Sequence, residues 1–138
     1  MGAGFVEFDH SGDIGIEASG RSLAEMLQNA TLGLLSLFRW NPVGRSVERR
    51  IRVSSFSAED LVVDWLNEVI STVGTFGELY GEADIEPAGE WYAEGVLRGE
   101  GIDADKHALR FDVKAATYHR LVVERRPDGY HARVIFDL

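Results

Sequence analysis

The sequence contains no cysteine among its 138 residues. A disulfide framework is therefore excluded, and so is a metal site that is built on thiolates. Any metal that this protein binds must be held by oxygen or imidazole ligands. Such ligands favour hard cations, which carboxylates and carbonyl oxygens coordinate well.

Long hydrophobic runs are also absent. The longest apolar stretch, around Leu32 to Phe38, is far shorter than the stretch of about 20 residues that a membrane-spanning helix needs. Residues 1–7 lack a basic segment followed by an apolar run, so no secretory signal is expected. We therefore expect no membrane association and a cytoplasmic location.

Basic residues are the minority among the charged side chains. Lys and Arg number 14 against 23 Asp and Glu, which gives a formal net charge of -9. An acidic surface repels a phosphate backbone, so autonomous nucleic-acid binding is not expected. The charge suits a cation or a basic protein partner, or it serves solubility alone.

The remaining composition is that of an ordinary folded protein, and the length fits one domain over residues 1–138. Two helices are predicted. Ser22-Leu23-Ala24-Glu25 has the form of a capping box, and apolar residues then recur every three or four positions as far as Phe38. A second helix begins at Ser57-Ala58-Glu59-Asp60, with two acids in its first turn, and is closed by Gly74 and Gly77.

Most of the other segments alternate between apolar and polar residues, as half-buried strands do. Arg126 to Tyr130 carries the Pro, Asp and Gly of a tight hairpin turn. We predict an α+β fold of two layers, in which a mostly antiparallel or mixed sheet has two helices packed on one face. Trp40 and Trp91 could lie in the core or at an interface, and the core is the expected place for each. The predicted strands are residues 5–9, 13–18, 47–54, 79–85, 91–99, 109–116 and 130–137.

Three segments carry side chains that could perform chemistry. Asp9, His10 and Asp13 place two carboxylates and an imidazole within five residues, which could ligate a metal or form an ordinary polar turn. Asp137 ends an apolar strand that would hold it rigidly if the strand pairs, although a terminal carboxylate can also lie in water. Lys114 to His119 could recognise a phosphate or a carboxylate, but an amphipathic surface strand explains the same residues.

Motifs for nucleophilic catalysis are missing from the sequence. It has no Gly-x-Ser-x-Gly segment and no His-Glu-x-x-His segment. Asp9, His10, Asp13 and His119 could nevertheless form a metallohydrolase site. A stand-alone metal-dependent phosphohydrolase therefore remains an alternative.

Four ordered segments together resemble the archease family over nearly the whole chain. They are Asp9–Ile16 followed by Arg21-Ser22-Leu23, then Leu61–Glu68, Lys114–His119 and Arg133–Leu138. The resemblance implies a protein that is not itself an enzyme but activates the RtcB-type tRNA-splicing ligase, by promoting its guanylylation and multiple turnover. A chaperone or modulator of other RNA-modifying enzymes is a further alternative.

The resemblance also implies a metal site. It assigns the side chains of Asp13 and Asp137 and the main-chain oxygen of Leu138 to a divalent cation. Calcium is the ion expected there, although other divalent ions also suit oxygen ligands. A free carboxylate at Leu138 would add negative charge. The candidates for contacts with the ligase are Asp9, His10, Lys114 and His119.

Overall fold

The computed structural model describes residues 4–138, with the exception of the side chain of His10. Within these residues the chain forms two helices, α1 (Leu23–Phe38) and α2 (Ala58–Phe76), and eight strands. None of the helices in this part of the chain is long and apolar enough to cross a membrane. The strands are β1 (Phe5–His10), β2 (Asp13–Gly20), β3 (Val47–Ser54), β4 (Glu78–Gly89), β5 (Tyr92–Gly101), β6 (Ala115–Ala116), β7 (Val122–Arg126) and β8 (Gly129–Asp137).

The strands form two antiparallel sheets. The larger sheet has the order β1-β2-β8-β6, and β7 also pairs with β8; the smaller sheet has the order β3-β5-β4. One hydrophobic cluster is shared by both sheets and both helices. The predicted α+β class and the antiparallel pairing are confirmed, whereas the division into two sheets was not predicted.

Helix α1 runs back over the strand that precedes it. The hydroxyl of Ser22 accepts the N–H of Glu25, which caps the helix as predicted. Gly20, near the end of β2, lies against the backbone of Met26, while Ile16, nearer its beginning, lies against Gly33. The carboxyl end of α1 therefore lies over the beginning of β2.

Trp65 joins the two helices to the smaller sheet. It is fully buried, and its Nε1–H donates to Oγ1 of Thr31, at 2.9 Å, on α1. Thr31 in turn donates to the carbonyl of Leu27 at 2.7 Å. The far edge of the indole approaches Gly95 of β5, where no side chain intervenes. The polar atom of this large core residue is thus satisfied, as burial requires.

The predicted strand from Leu109 to Ala116 is wrong for most of its length. Only Ala115 and Ala116 belong to β6, and Leu109 forms an isolated bridge with Arg39. Further along, the N–H groups of Arg110 and Phe111 donate to carbonyls at the end of α1. The alternation of this segment reflects an extended chain that crosses the end of a helix, because half-burial on a helix produces the same pattern as half-burial on a sheet.

The expectation for two of the tryptophans is also wrong. Trp40 is 67% exposed and Trp91 is 63% exposed, whereas Trp65 occupies the core. Both exposed residues lie just outside regular elements, since Trp40 follows α1 and Trp91 lies in the turn between β4 and β5. Their large apolar surfaces predicted burial, but loop positions offer them no space within the core.

Glu100 anchors the long connection that leads from β5 to β6. Its carboxylate accepts hydrogen bonds from Nζ of Lys106 at 2.6 Å and from the N–H of Gly44 at 2.5 Å, and it lies 3.2 Å from Nε2 of His107. The N–H of Asp103 donates to Nδ1 of His107, so the proton of the neutral ring lies on Nε2 and points to Glu100. These donors, with Lys106 the strongest, lower the pKa of Glu100 to about 2.

We expect Thr31→Val to lower the free energy of unfolding by about 1–3 kcal/mol, because the buried Nε1–H of Trp65 loses its acceptor. In a Trp65→Phe background the same substitution should cost about 1 kcal/mol less, since the donor has already gone. Urea denaturation of the four proteins measures this coupling. Equal costs in the two backgrounds would show that the hydrogen bond contributes nothing.

We expect the stability of Glu100→Gln to fall less steeply than that of the wild type as the pH is lowered. The pKa of Glu100 is lower in the folded protein than its usual value of 4.5, so the unfolded chain binds the extra proton. The stabilisation is complete above the usual value and disappears as the pH falls from about 4.5 to about 2. Thermal unfolding between pH 6 and pH 2 tests this, with Glu124→Gln as the control in an exposed ion pair. A wild-type curve and a Glu100→Gln curve of the same shape would contradict it.

Candidate metal centre

A tight turn connects β1 to β2 at one end of the larger sheet. Ser11 and Gly12 both have positive φ, at 54° and 86°, and the backbones of His10 and Asp13 pair on either side of them. This is the backbone pattern of a two-residue hairpin, in which glycine is favoured at the second position. The turn holds Asp13 at the first position of β2, where its backbone is fixed.

Asp13 and Asp137 are neighbours on adjacent strands. Ile14 pairs with Phe136, and both of these side chains face the core. Asp13 precedes Ile14 and Asp137 follows Phe136, so both aspartates face the opposite, outer side of the sheet, because side chains alternate along a strand. The Cβ atoms of such neighbours lie roughly 5 Å apart. We call this place the aspartate end of the sheet.

The two carboxylates are acidic groups at this end of the sheet. Within the described part of the chain, neither Asp13 nor Asp137 forms an ion pair. Two like charges 4 Å apart repel by about 1 kcal/mol in bulk water and by about 4 kcal/mol near a protein surface. A divalent cation between them would convert this repulsion into attraction.

The main chain beside the aspartates also carries oxygens. The carbonyl of Asp137 accepts the N–H of Lys114 at 2.9 Å, and the next main-chain oxygen is that of Leu138, which the resemblance assigns to the cation. Two carboxylates and one main-chain oxygen supply fewer atoms than the roughly six to eight oxygens that calcium takes. Among the described residues no three His, Asp or Glu side chains cluster around a common point. The donor set therefore fits an oxygen-preferring cation in an open site, with positions left for water or for a partner's oxygens.

An aromatic side chain stiffens the outer face next to the aspartates. The ring of Phe8 crosses Gly15, where an added Cβ would lie 2.3 Å from the ring and 2.6 Å from the carbonyl oxygen of Val134. The guanidinium of Arg133 stacks on the same ring, 4.1 Å from its centre. Ile135, the partner of Gly15, is only 2% exposed. The segments that carry the resemblance include Gly15 and Arg133, but sequence reasoning missed Phe8; a Phe on a predicted strand was the available signal.

The other predicted contact residues are not all brought to this place. Asp9 pairs with Ile14 and therefore faces the side opposite to Asp13. The side chain of His10 lies outside the described residues, although its backbone pairs with Asp13. Lys114 is exposed and is bonded through its N–H to Asp137.

His119 lies beyond the end of β6, which breaks the strand predicted for Lys114 to His119. Thr117 still donates to the carbonyl of Ile135, so the chain is already moving away from Asp137. Tyr118 is held elsewhere, because its hydroxyl donates to Asp60 on α2 at 2.6 Å, which raises its pKa to about 12. A stand-alone hydrolase would depend on Asp9, His10, Asp13 and His119. Among the side chains of this set that the structure describes, Asp9 and His119 do not join Asp13 on one face.

These features define a small α+β domain that carries two adjacent carboxylates, the half-buried Asp13 and the exposed Asp137, at one end of a sheet. Comparison with known proteins gives it a family. Residues 5–138 match the Archease protein family (MTH1598/TM1083), and the chain belongs to that family. It is 29% identical to the protein archease of Methanosarcina acetivorans, covering 100% of this chain and 98% of the relative. It is 31% identical to that of Saccharolobus solfataricus, covering 97% and 98%.

Two solved structures share the fold. The solution structure of Methanobacterium thermoautotrophicum protein 1598 matches with a TM-score of 0.80 and 30% identity, covering 99% of each chain. The crystal structure of the Thermotoga maritima archease, described as a possible chaperone, matches with a TM-score of 0.68 and 25% identity, covering 95% of this chain and 94% of that one. The recognition made from the sequence segments is thus confirmed.

We expect calcium to stabilise the protein through the two aspartates. At a calcium concentration 100 times the dissociation constant, the gain is about 2.7 kcal/mol, which thermal unfolding detects as a higher Tm. Asp13→Asn should abolish this gain, yet be at least as stable as the wild type in chelator, because one of two repelling charges has been removed.

Asp128→Asn is the matched control, since Asp128 is an exposed carboxylate at the opposite end of β8. It should keep the full calcium response. A calcium response that persists in Asp13→Asn, or one that is lost in Asp128→Asn, would place the cation elsewhere.

Proposed function

We propose that this protein is an accessory factor that binds a divalent cation and activates the RtcB-type tRNA-splicing ligase. The cation, probed as calcium, is held by the carboxylates of Asp13 and Asp137 and by the main-chain oxygen of Leu138. The observation that carries the proposal is the adjacency of two unpaired carboxylates on the outer face of one sheet end. Family membership adds the partner, through the resemblance described above.

The chain's charge supports a basic partner. A net charge of -9 favours encounter with a cleft that binds RNA, and such a cleft is positively charged. The two-residue turn at Ser11 and Gly12 presents a narrow end that can enter a cleft. The acidic protein therefore recognises the enzyme and leaves the RNA to it.

The residues at the aspartate end have separate tasks. Asp13 and Asp137 orient the cation, because their strands fix both backbones. Lys114, fixed by its N–H at Asp137, places an exposed ammonium group where it can contact a phosphate. The cation, when bound, offers positive charge to phosphate oxygens of the nucleotide that guanylylates the ligase. Guanylylation and multiple turnover are the steps that this arrangement would promote.

We expect Asp137→Asn and Asp13→Asn to reduce the stimulation of ligation to near the level of the ligase alone, because a single carboxylate no longer holds the cation. The assay uses limiting ligase and excess RNA ends, so that turnover is measured as well as the first ligation. Asp128→Asn, at the other end of the sheet, should stimulate as the wild type does.

Normal stimulation by both aspartate variants would overturn the role given to the metal. A wild-type protein that neither binds nor stimulates the ligase would overturn the choice of partner. Release of phosphate from a phosphoester substrate in the absence of ligase, dependent on metal and on Asp13, would instead support a stand-alone hydrolase.

A further inference from the structure

Trp40 is an exposed aromatic residue that is held rigidly. Its ring is stacked on the guanidinium of Arg110, which lies 4.0 Å from the ring centre. The main-chain N–H of Trp40 donates to the carbonyl of Ala108 at 2.7 Å, so the backbone of Trp40 is fixed as well. Trp40 is 67% exposed, so burial in this protein contributes little to stability at this position. Because the side chain is already ordered, a partner that covers it would not have to restrict its motion further.

The guanidinium beneath the indole is itself fixed by three hydrogen bonds. Arg110 donates to both carboxylate oxygens of Glu7, at 2.8 and 3.0 Å, and to the carbonyl of Ser36 at 3.1 Å. Its side chain is only 10% exposed. Glu7 belongs to β1 and Ser36 to α1, so the stack rests on two regular elements. Because the planar guanidinium is fixed, the indole that stacks on it has a fixed plane as well.

The other exposed tryptophan has no comparable support. Trp91 is 63% exposed, and its carbonyl accepts the N–H of Ser55. Among the described residues, no Lys or Arg side chain stacks on its ring. Single exposed apolar residues are common on protein surfaces and need no function. Trp91 fits that description. Trp40 differs from it, because Arg110 holds the ring of Trp40 in place.

Trp40 lies on the same end of the molecule as the aspartates. The carboxyl end of α1, which it follows, lies over the beginning of β2. From Arg110 the chain reaches Lys114 in four residues, at most about 14 Å, and Lys114 is bonded to Asp137. Trp91, in contrast, lies in a turn next to Ala88, which lines a surface depression together with Ser22 at the opposite end of α1.

The charges around Trp40 indicate the kind of surface that fits it. Arg110 is paired with Glu7 and Lys106 with Glu100, whereas the side chain of Arg39, which precedes Trp40, is half-buried and lies beside Gly81. In the same connection Asp103, Asp105 and Asp112 are exposed, and within the described residues none of them forms an ion pair. The rim is therefore acidic. A matching surface has an apolar pocket for an indole and basic side chains around it.

We infer that Trp40 is a preformed anchor that seats in an apolar, basic-rimmed pocket on the ligase, beside the cleft that receives the aspartate end. This inference rests on the proposed function, which it extends by a second contact. Buried tryptophans are among the residues that contribute most to binding at protein interfaces. Arg110 is a positioning residue, since it acts by orienting the indole.

The experiment measures the affinity of the full-length protein for the RtcB-type ligase by titration calorimetry, with calcium present. Trp40→Ala should bind about 10- to 30-fold more weakly, as expected for an interface anchor. Trp91→Ala, an equally exposed tryptophan on the other end, should bind as the wild type does. Arg110→Lys keeps the charge but loses the two-oxygen contact with Glu7, and it should weaken binding by a smaller factor, about 3-fold to 10-fold.

Each outcome decides between the interpretations. A Trp40→Ala protein with wild-type affinity would overturn the inference while leaving the proposed function intact. A wild-type protein that does not bind the ligase would overturn both. The calcium-induced rise in Tm should be unchanged in Trp40→Ala, since Asp13 and Asp137 remain. Loss of that rise would show that Trp40 supports the metal centre structurally, and would also overturn its role as an anchor.

Discussion

The antiparallel pairing of β2 with β8 is the constraint on which the rest of the structure depends, because it joins the two ends of the chain in one sheet. Its register is set by apolar side chains that face the core, among them Ile14, Ile16, Val134 and Phe136. A slip of one residue would turn these apolar side chains outward and the aspartates inward. The free-energy cost of burying unpaired carboxylates excludes that register. The same residues that stabilise the sheet therefore place Asp13 next to Asp137.

The neighbouring elements make this end of the sheet rigid. Helix α1 returns over β2, and Arg110 ties the end of α1 to β1 through Ser36 and Glu7. On the other face, Phe8 closes over Gly15. Because the backbones of Asp13 and Asp137 are fixed, the two like charges stay on neighbouring strands, where they repel each other. The elements that make this end of the sheet rigid therefore also hold the two carboxylates side by side.

Local signals in the sequence predicted local structure well. The serines at positions 22 and 57 cap both helices, since each hydroxyl accepts an N–H three residues on. Alternation predicted most strands, but it could not tell which strands pair, because pairing depends on contacts between distant segments. It also failed between Leu109 and Ala116, where an extended segment lies against α1. The prediction that Trp40 is buried was wrong. The ring instead stacks on Arg110, and Arg110 is held by Glu7 of β1 and Ser36 of α1, contacts between distant segments that alternation does not show.

The candidate site shows the same division between local and distant information. Spacing alone could not join Asp13 to Asp137, which lie at opposite ends of the chain, and only the family resemblance predicted that they meet. The structure then adds what a resemblance cannot contain, namely the stack that orients Trp40 and the acidic loop beside it. A surface with one pair of adjacent carboxylates and one oriented indole offers two separated points at which the proposed partner would make contact. Two such points would restrict the orientation of that partner, whereas the charge of the whole chain acts on the rate of encounter and on the choice of a basic partner.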